Sequence, residues 1–336
     1  MEDRQIILVN TWKWPVSLYM YSRLLCTISK NIKVLDLTDE IIGNGVIKNI
    51  KSFLLTYTGI NILHRLEDTD DIIHYIDPAL APLNNGNTNI VTIWDNPSLV
   101  LNTDLYMNSY LMKLHFKGNI NRFSKFENVI TPTNYIKQSL EDYGFEGKIK
   151  AIYTPVREIF QQMPDKNEIR KSLGLPLDKI LILSISVDIK RKNLHIVKEI
   201  SQILEGRFKI VRVGVPINDS ITFNKVDDET LVKIYSACDM LLMPSLAEGQ
   251  GLPVSEAFKV GLPVVASDIE VFREVADKAA IFVDPNSRKS IINGIKEAIS
   301  AKEELTKAGL LRSELFSVSH FKQKMLEYYQ SVSNQM

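Results

Sequence analysis

The 336-residue chain sets 40 Lys and Arg against 40 Asp and Glu, and 45% of it is apolar. That length accommodates two domains of ordinary size, and the even balance excludes a global basic field for nucleic acid or an acidic tail. No apolar run approaches the roughly 20 residues of a bilayer span, and the polar start Met1-Glu-Asp-Arg lacks the regions of a signal peptide, so a soluble, cytoplasmic protein is expected.

Short apolar runs alternate with longer amphipathic segments, the pattern of βαβ units on a parallel sheet. In chain order, strands are predicted over Ile6–Asn10, Lys33–Leu37, Asp71–Tyr75, Asn89–Trp94, Asn128–Thr131 and Lys148–Tyr153. Helices are predicted over Val16–Lys30, Leu99–Lys117 and Asn134–Tyr143, and Asn84-Asn-Gly-Asn-Thr88 reads as a loop. Thr154–Lys166, punctuated by Pro155 and Pro164, reads as a boundary. The series then restarts. Strands are predicted over Lys179–Ile185, Phe208–Val213, Asp239–Met243, Pro263–Ala266 and Ala279–Val283. They alternate with helices over Leu194–Glu205, Asp228–Ala237, Val254–Val260, Glu270–Asp277 and Ser290–Lys302, and a last helix covers about Ser319–Ser333. The expected architecture is α/β, with two Rossmann-like, doubly wound parallel-sheet domains facing a cleft. They would cover residues 1–157 and 158–316, with 317–336 crossing back to the first. The two cysteines, Cys26 and Cys238, lie far apart and the five histidines are scattered, which predicts free thiols and no metal site.

The most informative stretch is Met243-Pro-Ser-Leu-Ala-Glu-Gly-Gln-Gly-Leu-Pro-Val-Ser-Glu-Ala-Phe258. A buried strand runs into a glycine turn, and a helix follows with Pro253 in its first turn. Such a turn presents backbone N–H groups to phosphate. Glu248 and Glu256 stand on either side and can accept hydrogen bonds from sugar hydroxyls. Glu256 as a solvent-facing helix residue is the plainer alternative. A second turn, Asp188-Ile-Lys-Arg-Lys-Asn193, leaves the end of the Lys179–Ile185 strand. Its arginine offers a planar fork and its lysines point charges for the oxygens of a diphosphate leaving group. Alone it reads as a solvated turn with Asn193 as a helix cap. Beside the Glu248 turn, the phosphate reading prevails.

These residues resemble the retaining glycosyltransferases of family 4. The likeness rests on Leu231-Val-Lys-Ile-Tyr-Ser-Ala-Cys-Asp239, Met243-Pro-Ser245, Glu248-Gly-Gln-Gly-Leu-Pro-Val-Ser-Glu-Ala257 and Gly261-Leu-Pro-Val-Val265. Ser267-Asp268, Glu274-Val275 and Asp284-Pro285 extend it, and Lys190-Arg-Lys-Asn193 is similar to the Arg-Lys-Asn variant of mannosyltransferase-like members. Weaker likeness reaches Asp71-Ile-Ile-His74, Val91-Thr-Ile-Trp-Asp95 and Val129-Ile-Thr-Pro-Thr-Asn134.

The resemblance implies the GT-B fold and transfer of a mannose- or glucose-type hexose, with retention, from a GDP- or UDP-linked donor to a glycan or lipid-linked hydroxyl. It gives Glu256 to the ribose and Glu248 to the donor sugar. Gly249, Gln250, Gly251, Leu252 and Pro253 would contact sugar and phosphates, with Gly214 among the donor contacts. Arg191 and Lys192 would neutralise the diphosphate, with no metal and no cofactor. Two positions depart from the pattern. Val187 stands where many relatives have arginine, and Trp94 where many have histidine facing the donor. The Trp94 ring could stack on a sugar or pack in the core. Asp95 is a candidate polar partner for donor or acceptor.

On the acceptor side, Trp12 and Trp14 follow the first strand and could stack on a sugar or touch lipid, a structural role being equally open. The basic, aromatic stretch from Ser109 to Phe126 suits an anionic membrane surface, although an ordinary exposed helix is the plainer reading. A nucleotide-sugar epimerase and a non-catalytic nucleotide-sugar-binding subunit are the rival readings. An NAD dehydrogenase is disfavoured because no Gly-x-Gly-x-x-Gly follows the first strand.

Overall fold

In the computed structural model, residues 5–10, 16–36, 71–76, 78, 89–97, 100, 105, 126–204 and 206–335 are described. The chain divides into two units between Ile152 and Tyr153, and Phe321–Met336 returns to the first.

Unit 1 has strands β1 (Ile6–Asn10), β2 (Ile32–Asp36), β3 (Ile72–Tyr75), β4 (Asn89–Thr92), β5 (Asn128–Thr131) and β6 (Lys148–Ala151) in one sheet. They lie in the order β2-β1-β3-β4-β5-β6, and every pairing is parallel. Period-two alternation buries both faces. Val9, Ile73, Val91 and Val129 meet Ile136 and Leu140 of helix α2 (Asn134–Asp142) on one face. Leu8, Ile72, Ile90 and Ile130 meet Tyr21 and Leu25 of helix α1 (Val16–Leu25) on the other. That second face also receives Phe321, Met325, Tyr329 and Val332 from the last helix, Val318–Ser333. Inside this apolar layer sits His74, whose Nδ1 is 2.8 Å from the Tyr329 hydroxyl and whose Nε2 is 2.7 Å from Thr92 Oγ1.

Helix α1 stops at Leu25, five residues short of the span its apolar pattern predicts. Thr27 Oγ1 donates to the Leu24 carbonyl and Ser29 Oγ accepts from Asn31 N–H, so side chains take over the backbone partners and close a turn. The predicted Leu99–Lys117 helix, the Asn84–Thr88 loop and the basic stretch up to Lys125 lie outside the described residues, apart from isolated positions.

Unit 2 has strands β7 (Ile180–Ser186), β8 (Phe208–Gly214), β9 (Ser220–Phe223), β10 (Met240–Met243), β11 (Val264–Ser267) and β12 (Ala280–Val283). Their order is β12-β11-β10-β7-β8-β9, again all parallel. In chain order its helices are α3 (Lys166–Ser172), α4 (Leu194–Ile203), α5 (Asp228–Ala237), α6 (Leu252–Lys259), α7 (Glu270–Ala276), α8 (Arg288–Ser300) and α9 (Lys302–Ser313). The sequence pattern missed three elements here. β9 is a half-buried edge strand of four residues with only two strongly apolar positions. α3 is capped by Asp165 but carries one apolar residue, Ile169. α9 follows α8 after the single residue Ala301. Both units are doubly wound, and their architecture is that of the GT-B fold.

Candidate nucleotide-sugar site

In unit 2 the chain builds outward from β7 through β8 to β9, then returns to place β10, β11 and β12 on the other side of β7. The winding therefore reverses between β7 and β10. Ligands of open parallel sheets sit beyond the carboxyl ends of the strands at such a switch point. The two turns singled out in the sequence leave those two strand ends.

Local sequence explains why the turns come together. Asn193 adopts a left-handed conformation at φ 56° and is buried. Its amide does not cap the helix that follows. Instead Nδ2 donates to the carbonyls of Pro244 at 3.0 Å and Pro285 at 2.8 Å. It thereby clasps the turn after β7 to the chain after β10 and β12. Leu246 N–H donates to the Arg191 carbonyl at 2.7 Å, a second stitch. Gly251 closes the other turn at φ 78°, and a Cβ there would collide with the Phe272 ring. Leu252 and Pro253 form the first turn of α6.

This brings Glu248, Arg191 and Lys192 together. Glu248 Oε2 accepts from Arg191 Nη1 at 2.9 Å and Oε1 from Lys192 Nζ at 2.6 Å. All three side chains are at most 18% exposed. Burial alone would raise the Glu248 carboxyl, but Lys192 and Arg191 outweigh it and hold its pKa below the ordinary value. The trio carries net positive charge. Two cations gathered on one carboxylate can also receive a diphosphate, since both bind carboxylate and phosphate oxygens.

Glu256 lies on α6, half-buried, and accepts from the Tyr235 hydroxyl at 2.7 Å through Oε2. Burial raises its pKa above the usual carboxylate range, opposed by the Tyr235 hydrogen bond and the charge of Arg157. Arg157 itself pairs with Asp228 and lies 5.1 Å above the Phe160 ring.

The remaining expected donor contacts divide. Gly249 and Gly251 are buried within the turn, and Leu252 and Pro253 are half-buried. Gln250 is 5% exposed and its amide pairs with Thr154: Oε1 accepts from Thr154 N–H at 2.7 Å and Nε2 donates to the Thr154 carbonyl at 2.8 Å. Gly214, at φ 127°, abuts the Ser186 carbonyl where a side chain could not fit. Arg212, which no sequence motif singles out, runs along this junction fully buried. Its guanidinium donates to the carbonyls of Ser184 at 2.9 Å and Val213 at 3.0 Å, and to Ser186 O and Oγ. Burial pulls its pKa down to about 10, against the opposing charge of Asp188. Val187, at the departure noted above, is 61% exposed.

In unit 1, Trp94 has a structural role. Its Nε1 donates to the Ile76 carbonyl at 2.9 Å, and its ring meets Tyr21 edge-to-face at 4.8 Å. Asp95 is half-buried beside it in sequence, while Trp12 and Trp14 lie outside the described residues. Among the described residues, no three or more His, Cys, Asp and Glu are grouped so as to hold a metal ion, and no helix is long and apolar enough to cross a membrane. Cys26 and Cys238 are free thiols.

Known proteins resemble this chain in sequence and in fold. Residues 165–309 match the family model described as "Glycosyl transferases group 1". The O-antigen chain mannosyltransferase RfbU of Salmonella typhimurium is 26% identical over 211 residues, 57% of this chain and 56% of that protein. The chain thus spans about half the length of the curated relatives it matches. Two solved structures share the fold over almost the whole chain. Sucrose-phosphate synthase from Thermosynechococcus elongatus superposes with a TM-score of 0.78 at 15% identity, covering 99% of this chain and 100% of that one. Anabaena HepE, solved with UDP and glucose, gives a TM-score of 0.78 at 14% identity, covering 98% and 100%. The segment that carries Arg191, Lys192, Glu248 and Glu256 therefore lies within the stretch that matches the glycosyl transferases group 1, set in a chain of GT-B fold.

Proposed function

We propose that this protein is a retaining glycosyltransferase. It would move a mannose- or glucose-type hexose from a GDP- or UDP-linked donor to a hydroxyl of a glycan or lipid-linked acceptor, without a metal. The observation that carries this reading is the buried trio of Glu248, Arg191 and Lys192 at the β7/β10 switch point, where Glu248 shares a turn-helix segment with Glu256. The mannosyltransferase named among the relatives and the neighbour solved with UDP and glucose favour the same reading.

The trio suits a charge exchange. When a diphosphate enters, Arg191 and Lys192 have oxygens of two anions to share, and Glu248 is freed to accept donor-sugar hydroxyls. As the bond between the sugar and the diphosphate breaks, negative charge grows on the leaving group, where the two cations stabilise it. The N-terminus of α6 adds backbone N–H groups to that stabilisation. Glu256 accepts from the ribose. Because the diphosphate's charge is met by Arg191 and Lys192, transfer would persist in a chelator.

The test is donor consumption across GDP- and UDP-linked mannose and glucose, with EDTA present, for wild type and Glu248→Ala. Loss of turnover in the variant supports the reading. Equal rates would remove Glu248 from the site, and conversion of a donor into its epimer without acceptor would favour the epimerase instead.

A further inference from the structure

Tyr235 lies on α5, an element that contributes no turn to the site, and it is completely buried. Its hydroxyl reaches through to the half-buried carboxylate of Glu256 at 2.7 Å. The ring is held by an edge-to-face contact with Phe160 at 5.5 Å, and the guanidinium of Arg157 lies 5.1 Å from the centroid of the Phe160 ring. The tyrosine is therefore fixed at both ends, by packing at the ring and by the carboxylate at the hydroxyl. A buried tyrosine hydroxyl needs a partner, and this one has an anionic one.

The consequence falls on Glu256. With Oε2 held by the Tyr235 hydroxyl, Oε1 accepts from no group among the described residues. A carboxylate with one oxygen pinned and the other open is a preorganised acceptor for a hydroxyl on a ligand. A glutamate on a helix would otherwise sample several rotamers and lose entropy on binding.

We propose that Tyr235 is a positioning residue that fixes Glu256 for recognition of the ribose hydroxyls of the donor nucleotide. The inference rests on the reading of Glu256 given above. It goes beyond that reading by making ribose selectivity depend on a hydroxyl that never touches the ligand. The bond from Tyr235 also favours the ionised carboxylate against the effect of burial, so the same hydroxyl sustains both its orientation and its acceptor character.

GDP, UDP and their 2′,3′-dideoxy analogues are titrated calorimetrically into wild type, Tyr235→Phe, Glu256→Gln and the double variant, each checked for an unchanged melting profile. Wild type should prefer the tighter-binding ribonucleotide over its dideoxy form by about tenfold or more, the scale of a hydrogen bond to a charged group. Glu256→Gln should remove most of that preference. Tyr235→Phe should reduce it several-fold while leaving the dideoxy affinity unchanged, and the double variant should match Glu256→Gln alone. A purely structural role for Tyr235 would change both affinities together and leave the ratio fixed. A wild-type ratio in Tyr235→Phe, with Glu256→Gln impaired, overturns the positioning role and leaves the ribose reading intact. A wild-type ratio in Glu256→Gln, or no binding of either nucleotide by wild type, overturns both.

Discussion

Lys192 Nζ stands 2.6 Å from Glu248 Oε1, a lysine and a glutamate 56 residues apart held almost wholly out of water. Arg191 takes the other oxygen, so a single carboxylate occupies both cations proposed for the diphosphate. Glu248 and a bound diphosphate compete for the same donors. Glu248→Gln should therefore abolish most transfer yet bind GDP or UDP at least as tightly as wild type. Arg191→Ala, which removes a charge-assisted donor, should weaken the same nucleotide by about 1.5–3 kcal/mol. Isothermal titration measures both. Weaker nucleotide binding by Glu248→Gln would mean that the carboxylate supports the cations rather than competing with them.

The pKa of Glu256 is shifted in the opposite direction to that of Glu248, and this gives a pH signature. Burial raises its pKa, so just above the ordinary carboxylate range, about 4.3, it is still partly protonated in the free protein. Only the ionised form accepts two hydroxyl bonds well. The preference for a ribonucleotide over its dideoxy analogue should grow as pH rises through that raised value and then level off. Using the ratio cancels protonation of the phosphates, which both ligands share. A ratio that is flat, or that falls with rising pH in this range, would show that Glu256 does not act as a carboxylate acceptor. For folding the sign is the reverse: a raised carboxyl contributes stability at low pH that is lost as pH rises through its folded value.

The fold was legible because strands such as Ile180–Ser186 and Met240–Met243 are short apolar runs between polar helices, a pattern that burial on both sheet faces imposes. The turns of the site were legible because glycine, proline and clustered charge at strand ends mark special backbone and phosphate chemistry. What could not be read were pairings between distant residues. Gln250 and Thr154 are 96 apart and neither stands out in its own segment. Tyr235 sits in an ordinary amphipathic helix, where its apolar spacing hides the hydroxyl's destination. Arg212 occupies a strand position that packing would give to valine, and only the register with Ser184 and Ser186 shows what its guanidinium holds. Asn193 has the residue type of a helix cap, yet its side chain bonds carbonyls 51 and 92 residues away.

Gln250 gives a test that separates structure from binding. Its amide pairs with both backbone groups of Thr154, at the start of the Tyr153–His320 stretch of unit 2, in the manner of a sheet rung. Gln250→Ala leaves that N–H and carbonyl without their partners, at a cost of about 1–3 kcal/mol. The unfolding transition of unit 2 should move down accordingly in a denaturant titration. Nucleotide affinity measured well below that transition should change little. A large loss of affinity with no loss of stability would return Gln250 to the donor contacts.

His74 reports on the other unit. It is enclosed between Tyr329 and Thr92, and burial lowers its pKa to about 3. The folded ring thus stays neutral under conditions where the unfolded ring, near 6.5, takes up a proton. Because the folded pKa lies below the unfolded one, acid favours the unfolded state. The contribution of His74 should fall by about 1.4 kcal/mol per pH unit between roughly 6 and 3. His74→Gln loses two buried hydrogen bonds at neutral pH but no longer carries this penalty. The stability gap between wild type and His74→Gln in the unit 1 transition should therefore be widest near pH 7 and narrow steadily toward pH 4. Tyr329→Phe removes the bond to the last helix and should destabilise the same transition by about 1–3 kcal/mol. A gap that is constant with pH, or an imidazole that titrates by NMR near its ordinary value, would show that His74 is open to water.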